Sequence, residues 1–119
     1  MNQLWQFLAL LAVHWIADFV LQTHWQASNK SKSLNALGRH VATYMTVLAV
    51  ASVALFGIDL GLSFALLNGA LHFATDFFTS KWTARLYARG QVHNFFAVVG
   101  LDQLIHQATL ALTMAWMAP

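Results

Sequence analysis

The chain has 119 residues, of which 59% are hydrophobic and 8% are charged, and its net charge is +2. Because a soluble domain usually carries about 25% charged residues, this composition argues against a soluble enzyme and indicates one integral membrane domain over residues 1–119. The absence of cysteine excludes disulfides and thiolate metal sites, and the sequence carries no motif for binding nucleic acid.

Four segments are long and apolar enough to cross a membrane as helices, which requires about 20 mostly apolar residues. They cover about residues 4–22, 40–57, 60–80 and 95–117. The second and third segments are separated only by a short turn at "GIDLG". The sequence therefore predicts an all-α, integral membrane four-helix bundle with a tight turn between the second and third helices.

The basic residues predict how this bundle is oriented. All six lysines and arginines lie in the two longer connections, which contain Lys30, Lys32, Arg39, Lys81, Arg85 and Arg89. In a four-span chain these connections lie on one side of the membrane, and the positive-inside rule assigns that side to the cytoplasm. Both termini are then expected outside. The spacing of the basic residues in the second connection also predicts a short interfacial helix over residues 82–89.

Three of the predicted spans carry an aspartate and a histidine four residues apart, so that each pair shares one helix face. The pairs are His14 with Asp18, His72 with Asp76, and Asp102 with His106. The order reverses in the fourth span, which also crosses in the opposite direction from the first and third. We therefore expect an aspartate layer toward the cytoplasm and a histidine layer one helical turn, about 6 Å, deeper.

These pairs predict a metal site inside the membrane. An ionisable side chain within a span costs roughly 2.5–3.5 kcal/mol, so such groups normally face partners or water. Imidazole and carboxylate together suit divalent Zn, Mn or Fe. The six residues of the three pairs could accordingly hold one or two ions. Two other interpretations stay open: hydrogen-bonded ties between helices, and a path for protons or ions.

Polar residues outside the pairs are further candidates. His40 opens the second span near the same cytoplasmic mouth and could act as a base. His93, just before the fourth span, could be a ligand, a base or an interfacial polar residue. Basic residues around the mouth could bind a phosphate or an anionic lipid headgroup, or form an ordinary basic flank. These are Lys30, Arg39, Lys81 and Arg85.

Four stretches resemble successive motifs of a known family: "HWIADFVLQTHWQASNK", "LGRHVATY", "LHFATDFFTSK" and "HNFFAVVGLDQLIHQ". This is the domain-of-unknown-function family 3307, small integral membrane proteins of bacteria and their phages. The resemblance covers nearly the whole chain and implies a multi-pass protein of the bacterial inner membrane. The family's marked positions correspond to His14, Asp18, Gln22, Lys30, His40, His72, Asp76, Lys81, His93, Asp102, Gln103 and His106.

Three functions are compatible with these features. The first is a metal-dependent membrane hydrolase whose ion activates water, with the basic residues holding an anionic or phosphate-bearing substrate. A looser similarity to small inner-membrane metal-dependent hydrolases favours it. The second is an ion or proton channel or transporter, which would need a homo-oligomer because four spans are few. The third is a structural or regulatory membrane module in which the pairs only tie helices together.

Overall fold

The computed structural model describes residues 1–118, which form five α-helices and one π-helical turn and contain no β-strand. The elements are α1 (Gln3–Trp15), the π-helical turn (Ile16–Val20), α2 (His24–Asn29), α3 (Leu34–Phe56), α4 (Ile58–Ala88) and α5 (Val92–Met117). Four helical units are long and apolar enough to span a membrane: Gln3–Val20, α3, α4 and α5. The all-α prediction with four such helices is confirmed, and it indicates a membrane protein.

Short polar side chains and one glycine determine where the helices begin. The Asn2 side chain accepts a hydrogen bond from the Trp5 amide at 3.1 Å, and the Ser33 hydroxyl accepts one from Ala36 at 3.2 Å. Such caps satisfy backbone donors that the first helical turn leaves free. Gly57 alone separates α3 from α4, with a φ of +87° that favours glycine. The predicted tight turn between the second and third spans is confirmed.

Two predicted boundaries differ from the structure. Helix α3 begins at Leu34, earlier than the predicted start at residue 40, because Ser33 caps it there. The prediction of a separate interfacial helix over residues 82–89 is wrong, since these residues continue α4 without a break to Ala88. No glycine or proline interrupts this part of the chain before Gly90, where φ reaches +70° and the helix has ended.

The four long helices form a ring in chain order. Helix α1 packs against α3 and α5, and α4 packs against the same two neighbours. Helix α2 packs on α3 at the end of the bundle that carries every Lys and Arg, which we call the basic end. The opposite end holds Gly57, Gln3 and Ala118, and there the Gln3 amide donates to the Ala118 carbonyl at 3.3 Å. The core on that side is largely apolar and includes Leu10, Leu48, Phe64 and Leu110.

Candidate metal centre

Asp18 lies in a distorted stretch of the first span. In the π-helical turn, the Leu21 amide donates to the Ile16 carbonyl five residues earlier, at 2.9 Å. Single π-helical turns within α-helices often occur at functional sites. Here the Asp18 carboxylate approaches α3 and α4 more closely than its own helix partner. Its Oδ1 is 3.0 Å from His40 Nε2, whereas its Oδ2 is 3.7 Å from His14 Nε2.

Four side chains converge at the centre of the polar region, and we call them the inner cluster: Asp18, His40, His72 and Asp76. The Nε2 atom of His40 lies 3.2 Å from that of His72 and 3.3 Å from Asp76 Oδ2. The Nε2 atom of His72 lies 3.4 Å from Asp18 Oδ1 and 3.4 Å from Asp76 Oδ2. No side chain of the cluster is more than 4% exposed.

The spacing of these donors matches a metal coordination shell. Ligands bound tetrahedrally to Zn²⁺ at about 2.0–2.1 Å lie about 3.3–3.4 Å from one another. The separations measured from His40 and His72 run from 3.0 to 3.4 Å. All four donor atoms lie within 4.8 Å of one another. The four donor atoms of the inner cluster are therefore close enough to share one divalent ion.

Each carboxylate of the inner cluster uses its second oxygen to bind a neighbour. Asp18 Oδ2 accepts from Gln103 Nε2 at 2.9 Å, and Gln103 Oε1 accepts from His14 Nε2 at 2.8 Å. The Nδ1 atom of His14 accepts from the Tyr44 hydroxyl at 3.0 Å, which is consistent with a neutral ring protonated on Nε2. A chain of three hydrogen bonds thus orients Asp18.

Asp76 is oriented in a similar way from α5. His106 Nε2 lies 3.0 Å from Asp76 Oδ1 and 3.2 Å from Asp102 Oδ1. Asp102 Oδ1 also accepts from the Thr79 hydroxyl at 2.6 Å. Asp18, Asp102 and His106 form a second group whose donors lie within 4.8 Å of one another. This group shares Asp18 with the inner cluster, so any second ion would lie beside the first.

The charges of the region do not balance while its histidines are neutral. Lys30 Nζ donates to Asp76 Oδ2 at 3.1 Å, and no other Lys or Arg within residues 1–118 forms an ion pair with Asp18, Asp76 or Asp102. With neutral imidazoles, three carboxylates and one ammonium group leave a net charge of −2. Uncompensated charge is costly inside a membrane. One divalent ion, or a proton on each of two histidines, would restore neutrality.

A cavity of about 230 Å³ leads from this region toward the basic end. Asp18, Asp102 and Gln103 line it on the side of the cluster. A second cavity of about 250 Å³ adjoins it, and both are lined by Lys30, Ser80 and Phe95. The polar region is therefore reachable from one end of the bundle through a space large enough for small molecules or a headgroup.

The structure brings together all six residues predicted as metal ligands, and it adds His40, which the sequence suggested as a base. His93 is exposed at the start of α5, nine residues before Asp102 and about 13 Å from it along the helix. The structure does not bring His93 to the cluster. Sequence reasoning missed the hydrogen bond from Thr79 to Asp102, and it named Gln103 only as a marked position of the family, without its central place between His14 and Asp18. A signal for Gln103 was its place beside Asp102 in "LDQLIH".

The four predicted anion-binding residues occupy different environments. Lys30 reaches the inner cluster and lines the cavity. The Arg39 guanidinium lies over the Trp25 ring at 5.6 Å, and Lys81 Nζ lies 3.7 Å from the centre of the Phe77 ring. Arg85 is exposed on α4. Lys30 is thus the one of the four that the structure brings to the polar region.

Comparison with known proteins identifies the family of this chain but no activity. No curated protein and no solved structure matches the chain. A family model described as "Protein of unknown function (DUF3307)" matches residues 6–118. Because this match covers almost the whole chain, including the inner cluster and the residues that orient it, the protein belongs to the DUF3307 family.

Proposed function

We propose that this protein is a membrane-embedded, metal-dependent hydrolase that acts on an anionic or phosphate-bearing substrate. The observation that carries the proposal is the convergence of two imidazoles and two carboxylates at 3.0–3.4 Å in the inner cluster. With neutral imidazoles the net charge around them is −2, which supports a divalent ion. The sequence interpretation is refined accordingly: Asp18, His40, His72 and Asp76 are the ligands, and His14, Asp102 and His106 act around them.

The donor set leaves room for catalysis if the ion accepts more than four ligands. Mn²⁺ and Fe²⁺ adopt higher coordination numbers, and catalytic Zn²⁺ sites can expand to five. Such an ion supplies a Lewis acid that activates water and polarises a substrate oxygen. His106 and Gln103 hold the ligand carboxylates in place, as hydrogen-bonding partners of metal ligands usually do.

Asp102 is our candidate for the general base. It is the carboxylate of the region that stands outside the inner cluster, its side chain is 13% exposed, and it lines the cavity. A base must be reachable by the water or substrate whose proton it removes. Thr79 and His106 hold its Oδ1, and Gln103 Nε2 donates to its Oδ2 at 3.1 Å. Lys30 would attract the anionic group of the substrate.

We further propose that the protein lies in the bacterial inner membrane with its basic end in the cytoplasm and both termini outside. Because the chain contains no cysteine, single cysteines can report this orientation. In spheroplasts, a membrane-impermeant maleimide is expected to label an Asp59→Cys variant at once, since Asp59 lies at the opposite end from α2. An Ala88→Cys variant at the basic end should be labelled only after permeabilisation. The reverse labelling pattern would contradict the orientation.

A structural role is the second candidate, because the same groups hydrogen-bond across helices without any ion. His40 bridges α3 to Asp18 at 3.0 Å, and His106 bridges α5 to Asp76 at 3.0 Å. Two protonated histidines could supply the two positive charges that a metal would otherwise bring. A path through the monomer is less favoured, since the core toward the termini is largely apolar.

Elemental analysis separates these candidates. Protein purified from metal-supplemented medium is expected to contain one divalent ion per chain, and His72→Ala and Asp18→Ala variants are expected to contain little or none. Asp59→Asn serves as the control, because Asp59 is exposed in the first turn of α4 and far from the cluster. A wild type without metal, together with a lower melting temperature for His72→Ala, would favour structural ties and refute the hydrolase.

A further inference from the structure

Ser80 has an unusual environment for a helical serine. The hydroxyl of every other serine and threonine of α3, α4 and α5 lies within hydrogen-bond distance of a backbone carbonyl three or four residues earlier. This is the ordinary way in which a hydroxyl is satisfied within an apolar helix. The Ser80 hydroxyl is buried, makes no hydrogen bond within the described chain, and lines both cavities, with the residue 7% exposed. A buried hydroxyl without a partner is costly and points to a ligand.

A second unpartnered group lines the same space. The Oε1 atom of Gln22 is buried without a hydrogen-bond partner, and Gln22 lines the cavity of about 230 Å³ together with Ser80 and Lys30. An amide can present either its oxygen or its NH₂ group to a ligand. Residues with a hydroxyl, an amide and an ammonium group, from three separate parts of the chain, therefore line one cavity.

The charge of these groups indicates which ligand they suit. Lys30 uses one of its ammonium protons for Asp76 and retains two further donors. An ammonium group and a serine hydroxyl are typical donors to phosphate oxygens. The metal donor Asp18 and the candidate base Asp102 line the same cavity. A phosphate at Lys30 and Ser80 would thus lie beside the ion and the base.

The remaining walls indicate how the rest of the ligand is accommodated. Phe19, Phe95 and Val99 line the cavity, and Phe19 is 47% exposed on the outer surface of the bundle. Along α5 the lining extends from Phe95 to Gln103, about 12 Å of helix from near the basic end. Polar groups and apolar side chains therefore line the same cavity, as the headgroup and the acyl chains of a lipid require.

We propose that this cavity binds the phosphate group of the substrate through Lys30, Ser80 and Gln22, and that the substrate is a phospholipid whose acyl chains leave along Phe19 and Val99. The proposal rests on the proposed hydrolase, for which it names the substrate class. Ser80 would then be a binding residue that sets the position of the phosphate and takes no part in proton transfer.

Binding of a fluorescent phosphatidic acid to the full chain in neutral detergent tests this proposal. Ser80→Ala is expected to weaken binding about tenfold, because a hydrogen bond to a charged group is lost. Ser63→Ala is the matched control, since Ser63 lies on the same helix, is exposed, and already donates to the Asp59 carbonyl. Its affinity should equal that of the wild type, and the melting temperatures of both variants show that they are folded.

Competition experiments identify the part of the ligand that is recognised. Unlabelled phosphatidic acid should displace the probe, and diacylglycerol should not. Equal affinity of Ser80→Ala and the wild type, or equal competition by diacylglycerol, would overturn the phosphate site. Equal competition by glycerol 3-phosphate or inorganic phosphate would overturn the lipid and favour a soluble substrate. Binding of the lipid probe is measured both with Mn²⁺ and with a chelator, so that the two proposals can fail separately. The effect of Ser80→Ala on lipid affinity tests the phosphate site in either condition. Absence of bound metal refutes only the hydrolase.

Discussion

Replacing His40 with alanine is expected to abolish metal binding. We expect this loss, and the equal loss for His72→Ala, to be the largest among the single histidine variants. The Nε2 atom of His40 lies within 3.3 Å of donor atoms from the other three members of the inner cluster. Its removal deletes one of four ligands and leaves two buried carboxylates facing an incomplete site. Isothermal titration with Mn²⁺ and Zn²⁺ in detergent measures the affinity, and elemental analysis measures the retained metal.

Alanine variants of two other histidines should reduce the metal affinity less than His40→Ala does. His14→Ala removes a residue that reaches Asp18 through Gln103, so we expect a loss of about 10–100-fold in metal affinity, as is typical for groups that orient a ligand. His93→Ala should leave the affinity unchanged, because His93 is exposed at the start of α5. If His14→Ala abolished binding and His40→Ala did not, the metal site would lie nearer α1 and α5 than we propose.

Replacing Gly61 with alanine is expected to destabilise the bundle by about 2–3 kcal/mol, the upper range for overpacking a dense core. An added Cβ at Gly61 would lie 2.5 Å from the backbone Cα of Val53 and 2.6 Å from the backbone carbonyl carbon of Ser52. Backbone atoms cannot rotate away as a flexible side chain can, so α3 and α4 must separate. This would also strain the 2.8 Å hydrogen bond from the Ser52 hydroxyl to the Gly61 carbonyl.

Thermal unfolding in detergent, followed by tryptophan fluorescence, measures this effect. Gly100→Ala is the matched control, because an added Cβ at Gly100 meets no atom within 4 Å. Gly100 lies within α5, where alanine is a better helix former by about 1 kcal/mol, so this variant should be equally or more stable. A Gly61→Ala variant as stable as Gly100→Ala would show that the contact between α3 and α4 is looser than the structure indicates. In that case the metal affinity of the inner cluster should also be unchanged in Gly61→Ala.

The two predictions address linked features of one hairpin. His40 is on α3, and His72 and Asp76 are on α4, so the distance between these helices determines whether the three donors can share an ion. The single residue between the helices, Gly57, and the small residue Gly61 allow their backbones to approach closely. We therefore expect Gly61→Ala to weaken metal binding as well as stability, although Gly61 is far from the cluster along the chain.

Much of the candidate site could be predicted from local sequence spacing. A histidine and an aspartate four residues apart share a helix face, and their reversed order at Asp102 and His106 follows from the reversed direction of α5. This reasoning identified all six residues that the structure brings together. It also associated His40 with the same mouth, although in the role of a base.

The pairing between these residues could not be predicted in this way. The shortest histidine contact of Asp18 is with His40 on α3, at 3.0 Å. The shortest histidine contact of Asp76 is with His106 on α5, also at 3.0 Å. Both contacts are shorter than those within the sequence pairs, which are 3.7 Å for His14 with Asp18 and 3.4 Å for His72 with Asp76. Spacing along one helix assumes regular α-helical geometry, which the π-helical turn at Asp18 does not have.

Composition and periodicity by themselves determined that this chain forms four long apolar helices with a tight turn at Gly57 and one face of histidines and aspartates, because these features depend on neighbours along the chain. The tertiary structure alone decided which donors meet and that Lys30 turns inward to Asp76. It also decided that Ser80 and Gln22 line a cavity without partners. These contacts join residues on different helices, and their distances depend on how closely the helices pack, which no local pattern encodes.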